Sequence, residues 1–282
     1  MSLEVFADAV RQGETRIDLA EACLMIAQDA YPSLDIERYI AELERMADQL
    51  RTRLPPSASP EECIVGLNEL LFEDLGFHGN VDEYYDPRNS YLNDVIERRT
   101  GIPITLAVLY MEVGRRAGLS LEGISFPGHF LVRAAVRGSA IVLDPFSGGE
   151  PQSEDDLRER LKRVIPEGVA ADVPVSELPL DQFLEPATKR QILTRVLRNL
   201  KAIHQQSDNP ELLLAVLNRM LVLSPDASGE LRDRGYVYQR LECWQPALKD
   251  LTDYLEREPD APDLEDVRDR MMTLRTLCSR MS

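Results

Sequence analysis

The sequence predicts an α+β fold in two parts: a mostly helical first part that contains a small antiparallel sheet, and an all-helical second part. Apolar residues recur at three- and four-residue steps over residues 17–53 and 63–77, which is the period of amphipathic helices. Over residues 121–144 the period changes to two, and Pro-Gly and Arg-Gly pairs interrupt the run, which is typical of short antiparallel strands. From residue 187 onward the helical period returns.

A central helix is predicted at residues 103–117, PITLAVLYMEVGRRA, because this segment is apolar around nearly its whole circumference. We expect the helix to be buried, with the small sheet packed on it. Pro103 suits the first helical turn, where the N–H that proline lacks has no partner in any case. Gly118 suits the position that follows the last turn.

Length and composition limit what the chain can do. Its 282 residues, 44% of them hydrophobic, suffice for two modest domains with buried cores. A formal charge of −17 repels polyanions, so we expect no nucleic-acid partner. The four cysteines are widely separated and no glycine-rich phosphate loop is present, so we predict no metal and no cofactor. Without a secretion signal or a long apolar run, we expect a cytoplasmic protein with no membrane contact.

Prolines mark the expected boundary between the two parts. Residues 165–186 carry four prolines and little periodicity, which is typical of a linker. We therefore predict a first domain at 1–186, which ends with this linker, and a second domain at 187–282.

The second part contains an internal repeat of 34 residues. Two prolines stand that far apart, and apolar or small residues lie between them at the spacing of a tetratricopeptide repeat: Pro225, Leu231, Gly235, Tyr238, Ala247, Leu251, Tyr254 and Pro259. The spacing predicts repeats at 194–227 and 228–261, with a covering helix at 263–280. The first repeat has Lys201 where a small residue is expected. The alternative is an ordinary helical hairpin with chance prolines.

One of the three histidines, His129, lies beside the predicted hairpin. A two-residue turn at 137–138 sets Asp144 opposite Leu131, and therefore diagonal to His129 on the same face of the sheet. Diagonal neighbours are about 7–8 Å apart at the backbone, which both side chains can span. A carboxylate there would fix the imidazole tautomer, as a general base requires. The alternative is structural: a histidine that bonds a carboxylate and completes a buried edge.

Three stretches of the first part resemble a known domain: NSYLNDVIERRTGIPITLAVLYMEVGRRAGL, FPGHFLVR and IVLDPFSGG. They are similar to the transglutaminase-like domain of the bacterial SirB-type family, in which tetratricopeptide repeats follow that domain. The layout of most of the chain agrees with this family. The resemblance implies a papain-like fold for the first domain.

The resemblance also implies an incomplete catalytic triad. In the papain-like superfamily a nucleophilic cysteine begins the central helix, and a histidine and an aspartate follow on adjacent strands. His129 and Asp144 match that histidine and aspartate, whereas Pro103 occupies the cysteine position. Proline has no nucleophilic atom, and no cysteine lies between Cys63 and Cys243.

Two other candidate nucleophiles are considered in place of the missing cysteine. Thr105 lies about half a turn further along the helix, and its hydroxyl could face the pocket. A threonine in a first helical turn also commonly bonds local backbone groups. The second possibility is a water molecule that His129 and Asp144 activate directly.

Candidate binding residues flank the predicted central helix and the aspartate. Asn93, Tyr91 and Ser90 precede the helix and are expected to line the same cleft, where Asn93 could orient a substrate carbonyl. Phe146 follows Asp144 in a stretch whose glycines indicate either a close backbone approach or a mobile rim.

We therefore predict a non-catalytic interaction or regulatory protein, in which a groove of the repeat domain binds a protein or peptide. An acidic chain favours a basic partner segment. The main alternative is a hydrolase or acyl transferase that acts on peptide or amide bonds through His129 and Asp144. A third possibility is a first domain that binds a ligand in the cleft without chemistry.

Overall fold

The computed structural model describes residues 3–136, 138–164 and 178–280. It confirms the predicted α+β fold, with helices before and after one four-stranded sheet. Within these residues the α-helices are α1 Leu3–Arg11, α2 Leu19–Ala27, α3 Ile36–Arg53, α4 Pro60–Asn68, α5 Leu92–Arg98, α6 Pro103–Arg116, α7 Glu154–Val164, α8 Lys189–Gln206, α9 Pro210–Leu223, α10 Ser228–Arg240, α11 Trp244–Arg257 and α12 Leu264–Arg280. The strands are β1 His78–Gly79, β2 Thr100–Gly101, β3 Leu121–Ile124, β4 Leu131–Val136, β5 Ser139–Asp144 and β6 Glu150–Pro151.

Short polar side chains begin several of these helices. Asp18 and Asp35 each accept a backbone N–H three residues ahead, at the starts of α2 and α3. Ser59 begins α4 with a reciprocal pair of bonds, because the Glu62 side chain reaches back to the Ser59 N–H. Each cap satisfies backbone donors that have no partner inside the helix.

Helix α6 forms the centre of the first part. Its residues from 103 to 114 are all buried, as its apolar sequence predicts. It packs against α3, β3 and β4. Gly114 has no side chain, which allows Leu121 of β3 to lie close to the helix backbone. The helix therefore fixes the sheet relative to the N-terminal helices.

The antiparallel sheet has the order β3-β4-β5-β6. Val136 pairs with Ser139, in the register that a turn at 137–138 requires; residue 137 itself lies outside the described residues. Strand β4 begins at Leu131, later than the apolar pattern from residue 129 predicts. The reason is a turn before the strand, in which the His129 N–H bonds the Phe126 carbonyl and Gly128 has φ +69°.

The outer face of the sheet is covered by α7 and by a short 3₁₀ helix at Leu180–Phe183. Their apolar residues form a second core cluster with the sheet: Ile124, Phe126, Leu131, Leu157, Leu161 and Leu180. Most of the predicted linker, residues 165–177, lies outside the described residues. Its remaining part, residues 178–186, packs on the sheet and ends in a bridge between Ile124 and Pro186.

Helices α8 to α12 form antiparallel pairs, as the repeat spacing predicts, although α8 begins at Lys189 rather than 194. Gly235 of α10 explains the small position in the repeat, because a Cβ there would lie 2.8 Å from Leu251. The hydrophobic core also continues past residue 187. Side chains of α8 and α9, including Leu193 and Met220, join the cluster that surrounds α6.

Candidate functional site

His129 and Asp144 lie side by side at the open end of the hairpin. The imidazole Nε2 is 2.9 Å from the Asp144 Oδ1 atom. His129 is held by the turn that precedes β4, and Asp144 is the last residue of β5. The strand register therefore produces the pair that the sequence predicts, even though His129 lies outside the strand.

Asp144 is fully buried and accepts four hydrogen bonds. Besides His129, its donors are the Arg160 guanidinium at 2.5 Å, the Ser147 hydroxyl at 3.0 Å and the Phe146 N–H at 3.1 Å. Burial alone would raise the pKa of this carboxyl, but the hydrogen bond and charge of His129, followed by the charge of Arg160, lower the pKa below its ordinary value. Asp144 is thus an ionised anchor for its neighbours.

The imidazole of His129 is oriented by these contacts. Because Nε2 faces a carboxylate, it carries the proton in the neutral ring, which leaves Nδ1 as the acceptor. Nδ1 forms no hydrogen bond with the described residues, and the side chain is 12% exposed. This geometry suits either proton abstraction through Nδ1 or a purely structural role.

Phe146 fills the space beside the imidazole. Its ring meets that of His129 edge to face, with centroids 5.9 Å apart. On its other side the ring lies against Gly79, where a Cβ would approach within 2.5 Å. Phe146 is partly buried against the core around α6, so the structure gives it a packing role next to the pair.

The glycines that follow Phe146 permit a close backbone approach. Gly148 and Gly149 both have positive φ, and the Gly149 carbonyl accepts a hydrogen bond from the Asn68 side chain. A Cβ on Gly149 would overlap the Asn68 oxygen, which itself accepts the Tyr110 hydroxyl of α6. This segment is therefore tied to the central helix.

Pro103 is the first residue of α6 and is buried. Two residues on, Thr105 is 2% exposed, and its hydroxyl donates to the Asn89 carbonyl at 2.7 Å. The same oxygen accepts the Ile102 N–H at 3.1 Å. The start of the helix thus carries no free nucleophile among these residues, and Thr105 forms the local backbone bonds that a first-turn threonine commonly makes.

The predicted binding residues at and just before the start of α5 are buried. The Tyr91 hydroxyl lies 3.0 Å from His204 Nε2 of α8, so the structure places Tyr91 between the first part and the repeat helices. Asn93 and Ser90 are 4% and 2% exposed, and the oxygen of each side chain has no hydrogen-bond partner among the described residues. Their proposed roles as ligand contacts stay predictions.

Sequence reasoning missed Arg160, which donates to Asp144 from α7. That helix, EDDLRERLKRV, also contains Arg158 and Arg163, and nothing in its charge pattern distinguishes one arginine from the others. It also missed the ion pair of Arg219 with Asp29, because the two lie far apart in sequence.

Neither a metal cluster nor a membrane span is present in the described part of the chain. No group of three or more His, Cys, Asp or Glu side chains there is arranged to hold a metal ion. None of the helices in that part is both long and apolar enough to cross a bilayer.

Comparison with known proteins places the chain in a family. Residues 37–198 match the model of the transglutaminase-like superfamily, and residues 200–272 match a tetratricopeptide repeat. A UPF0162 protein of Xylella fastidiosa is 42% identical over 92% of this chain and 90% of its own length. The protein SirB1 of Salmonella typhimurium is 28% identical over 83% of this chain and 84% of its own length.

A solved structure of menin, whose title describes its binding site for the Mixed Lineage Leukemia protein, aligns over 90% of this chain and 69% of its own. Its identity is 12% and its TM-score 0.41, values too low to support an inference from that protein. The two family matches support an interaction or regulatory role in general, since tetratricopeptide repeats commonly bind proteins. The chain belongs to the SirB-type family, in which a transglutaminase-like domain is followed by tetratricopeptide repeats.

Proposed function

We propose that this chain is a non-catalytic, cytoplasmic interaction protein, in which a transglutaminase-like domain without its nucleophile supports a repeat module that binds a protein. Pro103 carries the proposal, because it begins α6, where the resemblance to the papain-like superfamily places the nucleophilic cysteine, and it has no reactive atom. The buried hydroxyl of Thr105 supports it, since that group is bonded to backbone. Phe146 supports it further by packing beside His129.

The proposed partner is a basic segment of a protein. Between residues 256 and 269 the repeat module exposes six carboxylates: Glu256, Glu258, Asp260, Glu265, Asp266 and Asp269. Stacked helix pairs also present a concave surface that suits a peptide or helix. Together with the net charge of −17, this acidic surface attracts a cationic segment and repels an anionic one.

The partner is tested by affinity capture and mass spectrometry, followed by titration of the captured protein. The test variant carries Asp260→Asn, Glu265→Gln and Asp269→Asn. The control carries Glu37→Gln, Glu73→Gln and Asp155→Asn, which remove the same charge from exposed positions elsewhere. We expect weaker binding only in the test variant; equal binding by both would reject this acidic surface as the binding site.

A hydrolase or acyl transferase remains the second candidate, because the 2.9 Å contact between His129 and Asp144 leaves Nδ1 available to accept a proton. It is tested with a panel of amide and ester substrates, comparing the wild type with His129→Ala. Equal background rates support the non-catalytic proposal. Turnover that disappears in His129→Ala would overturn it.

A further inference from the structure

A polar cavity of about 500 Å³ lies beside the turn that holds His129. It is bounded by Ser125 and Pro127 at that turn, by residues 182–183 and 185–187, by α8 and by Ser224 after α9. This volume is within the range of small-molecule sites. The cavity belongs neither to the His129–Asp144 contact nor to the acidic surface of the repeats, so a ligand bound there would not depend on the proposed function.

Helix α8 supplies the charge of this cavity. It contains five Lys or Arg residues and no Asp or Glu, in a chain whose net charge is −17. The side chains of three of the five are engaged: Lys189 donates to the Ile17 carbonyl, Arg190 donates to the Val10 carbonyl and pairs with Glu14, and Lys201 pairs with Asp233 at 2.6 Å. The other two, Arg195 and Arg198, line the cavity.

Arg195 and Arg198 have no ion-pair or hydrogen-bond partner among the described residues. Arg195 is half-buried and Arg198 is exposed, one turn further along the same face of α8. Gln191 continues this face into the cavity. Its side-chain oxygen already accepts the Thr188 N–H, so its amide N–H groups are left to donate. All three side chains thus offer donors that suit an oxyanion.

One carboxylate, Glu185, also lines the cavity and is exposed. It makes no ion pair with either arginine in the described structure. Two guanidinium groups against one carboxylate leave the cavity positive. Guanidinium groups bind carboxylate and phosphate oxygens with paired, charge-assisted hydrogen bonds.

We propose that this cavity binds a small molecule that carries a phosphate or carboxylate oxyanion, held by Arg195 and Arg198 with Gln191 as a further donor. The strong negative charge elsewhere on the chain disfavours non-specific anion binding. Loss of anion binding in a cavity variant but not in a charge-matched control therefore identifies this cavity as the site.

The test is calorimetric titration of the full chain with inorganic pyrophosphate and, separately, with citrate, which distinguish phosphate from carboxylate recognition. Binding of either probe is expected. The variant Arg195→Gln with Arg198→Gln should bind that probe about tenfold more weakly or worse, since two charge-assisted contacts are lost. The variant Glu185→Gln should bind it more tightly, because the opposing charge is removed.

The matched control is Arg268→Gln with Arg275→Gln, which removes the same charge from two exposed arginines of α12. It should bind like the wild type. Circular dichroism checks that each variant is folded. If the double variant is not folded, the single variant Arg198→Gln, which changes an exposed residue, takes its place in the titration. The proposal is wrong if neither probe binds, if the cavity variant binds normally, or if the control loses as much affinity. Binding of a glutamate-rich peptide but of neither small anion would also overturn it.

Discussion

At the scale of single residues, Asp144 organises the site. Four donors converge on this buried carboxylate, and they come from the turn before β4, from α7 and from the segment after β5. An ionised group in such a place is stabilised only while its partners remain. The His129–Asp144 pair therefore holds this corner of the fold together, whether or not it also has a chemical role.

Replacing Asp144 by Asn should lower the free energy of unfolding by about 2–4 kcal/mol near neutral pH, because Arg160 and His129 lose their acceptor charge. The folded pKa of Asp144 lies below its unfolded value of about 3.9, so ionised Asp144 adds stability above that pH. This contribution is lost as the pH falls through the folded pKa. Urea unfolding should therefore show a difference between wild type and Asp144→Asn that shrinks below about pH 4.

The control for that measurement is Asp155→Asn, an exposed change on α7. It should alter stability by less than about 0.5 kcal/mol. If Asp144→Asn had an effect as small as the control, Asp144 would not be an anchor of the site.

A second residue-scale prediction concerns the contact of Gly79 with Phe146. Gly79→Ala should destabilise the protein by about 1–3 kcal/mol, because the new Cβ would overlap the Phe146 ring. Phe146→Leu removes much of this overlap, so the effects of Gly79→Ala and Phe146→Leu on stability should not be additive. A double-mutant cycle measures this coupling. Gly13→Ala, where no atom lies within 4 Å, should have little effect. Additive effects of Gly79→Ala and Phe146→Leu would contradict the contact.

At the scale of elements, local pattern determines most of what can be predicted. The period of two and the glycine turn specify the hairpin register, which in turn brings His129 to Asp144. The apolar circumference of α6 specifies its burial. By contrast, β1 and β2 contain two residues each, too few for any period, and depend on long-range pairing of His78 with Thr100. The role of Arg160 also depends on a long-range contact, because it is set by where α7 packs on the rest of the chain. The sequence therefore does not predict it.

In the repeat helix α10, two glycine-to-alanine substitutions should change stability in different ways. Gly235→Ala should destabilise the protein, because its Cβ would lie 2.8 Å from Leu251 and push α10 away from α11. Gly229→Ala in the same helix meets no atom within 4 Å, so it should be neutral or stabilise by up to about 1 kcal/mol through higher helix propensity. Thermal unfolding of both variants measures the difference. A fall of equal size in both would contradict a specific overlap with Leu251 as the cause of the effect at Gly235.

At the scale of the whole molecule, the transglutaminase-like domain and the first repeat helices share one core. Arg219 of α9 is 2% exposed and bonds both carboxylate oxygens of Asp29, while its guanidinium lies 4.7 Å from the centre of the Phe6 ring. The contact of Tyr91 with His204 adds a second polar link. Burial lowers the pKa of His204, which favours the neutral ring at this interface. A proline-rich linker in the sequence cannot reveal such packing, because the two polar contacts join residues 190 and 113 positions apart.

Breaking the Arg219 contact should weaken this shared core. Arg219→Met leaves the Asp29 carboxylate without its partner and should cost about 2–4 kcal/mol, whereas Asp29→Asn combined with Arg219→Met should recover part of the loss. Arg240→Met removes an exposed ion pair with Asp208 and should cost no more than about 1 kcal/mol.

Denaturant unfolding followed by two signals measures this coupling, since the single tryptophan, Trp244, reports on the repeats and circular dichroism reports on the whole chain. In the wild type the two transitions should coincide, because α8 and α9 contribute to the core around α6. In Arg219→Met both should shift to lower denaturant or separate. If Arg219→Met behaved like Arg240→Met, the buried pair would contribute no more than a surface one, and the other contacts between the repeats and the first domain, chiefly the shared apolar core, would hold the two together.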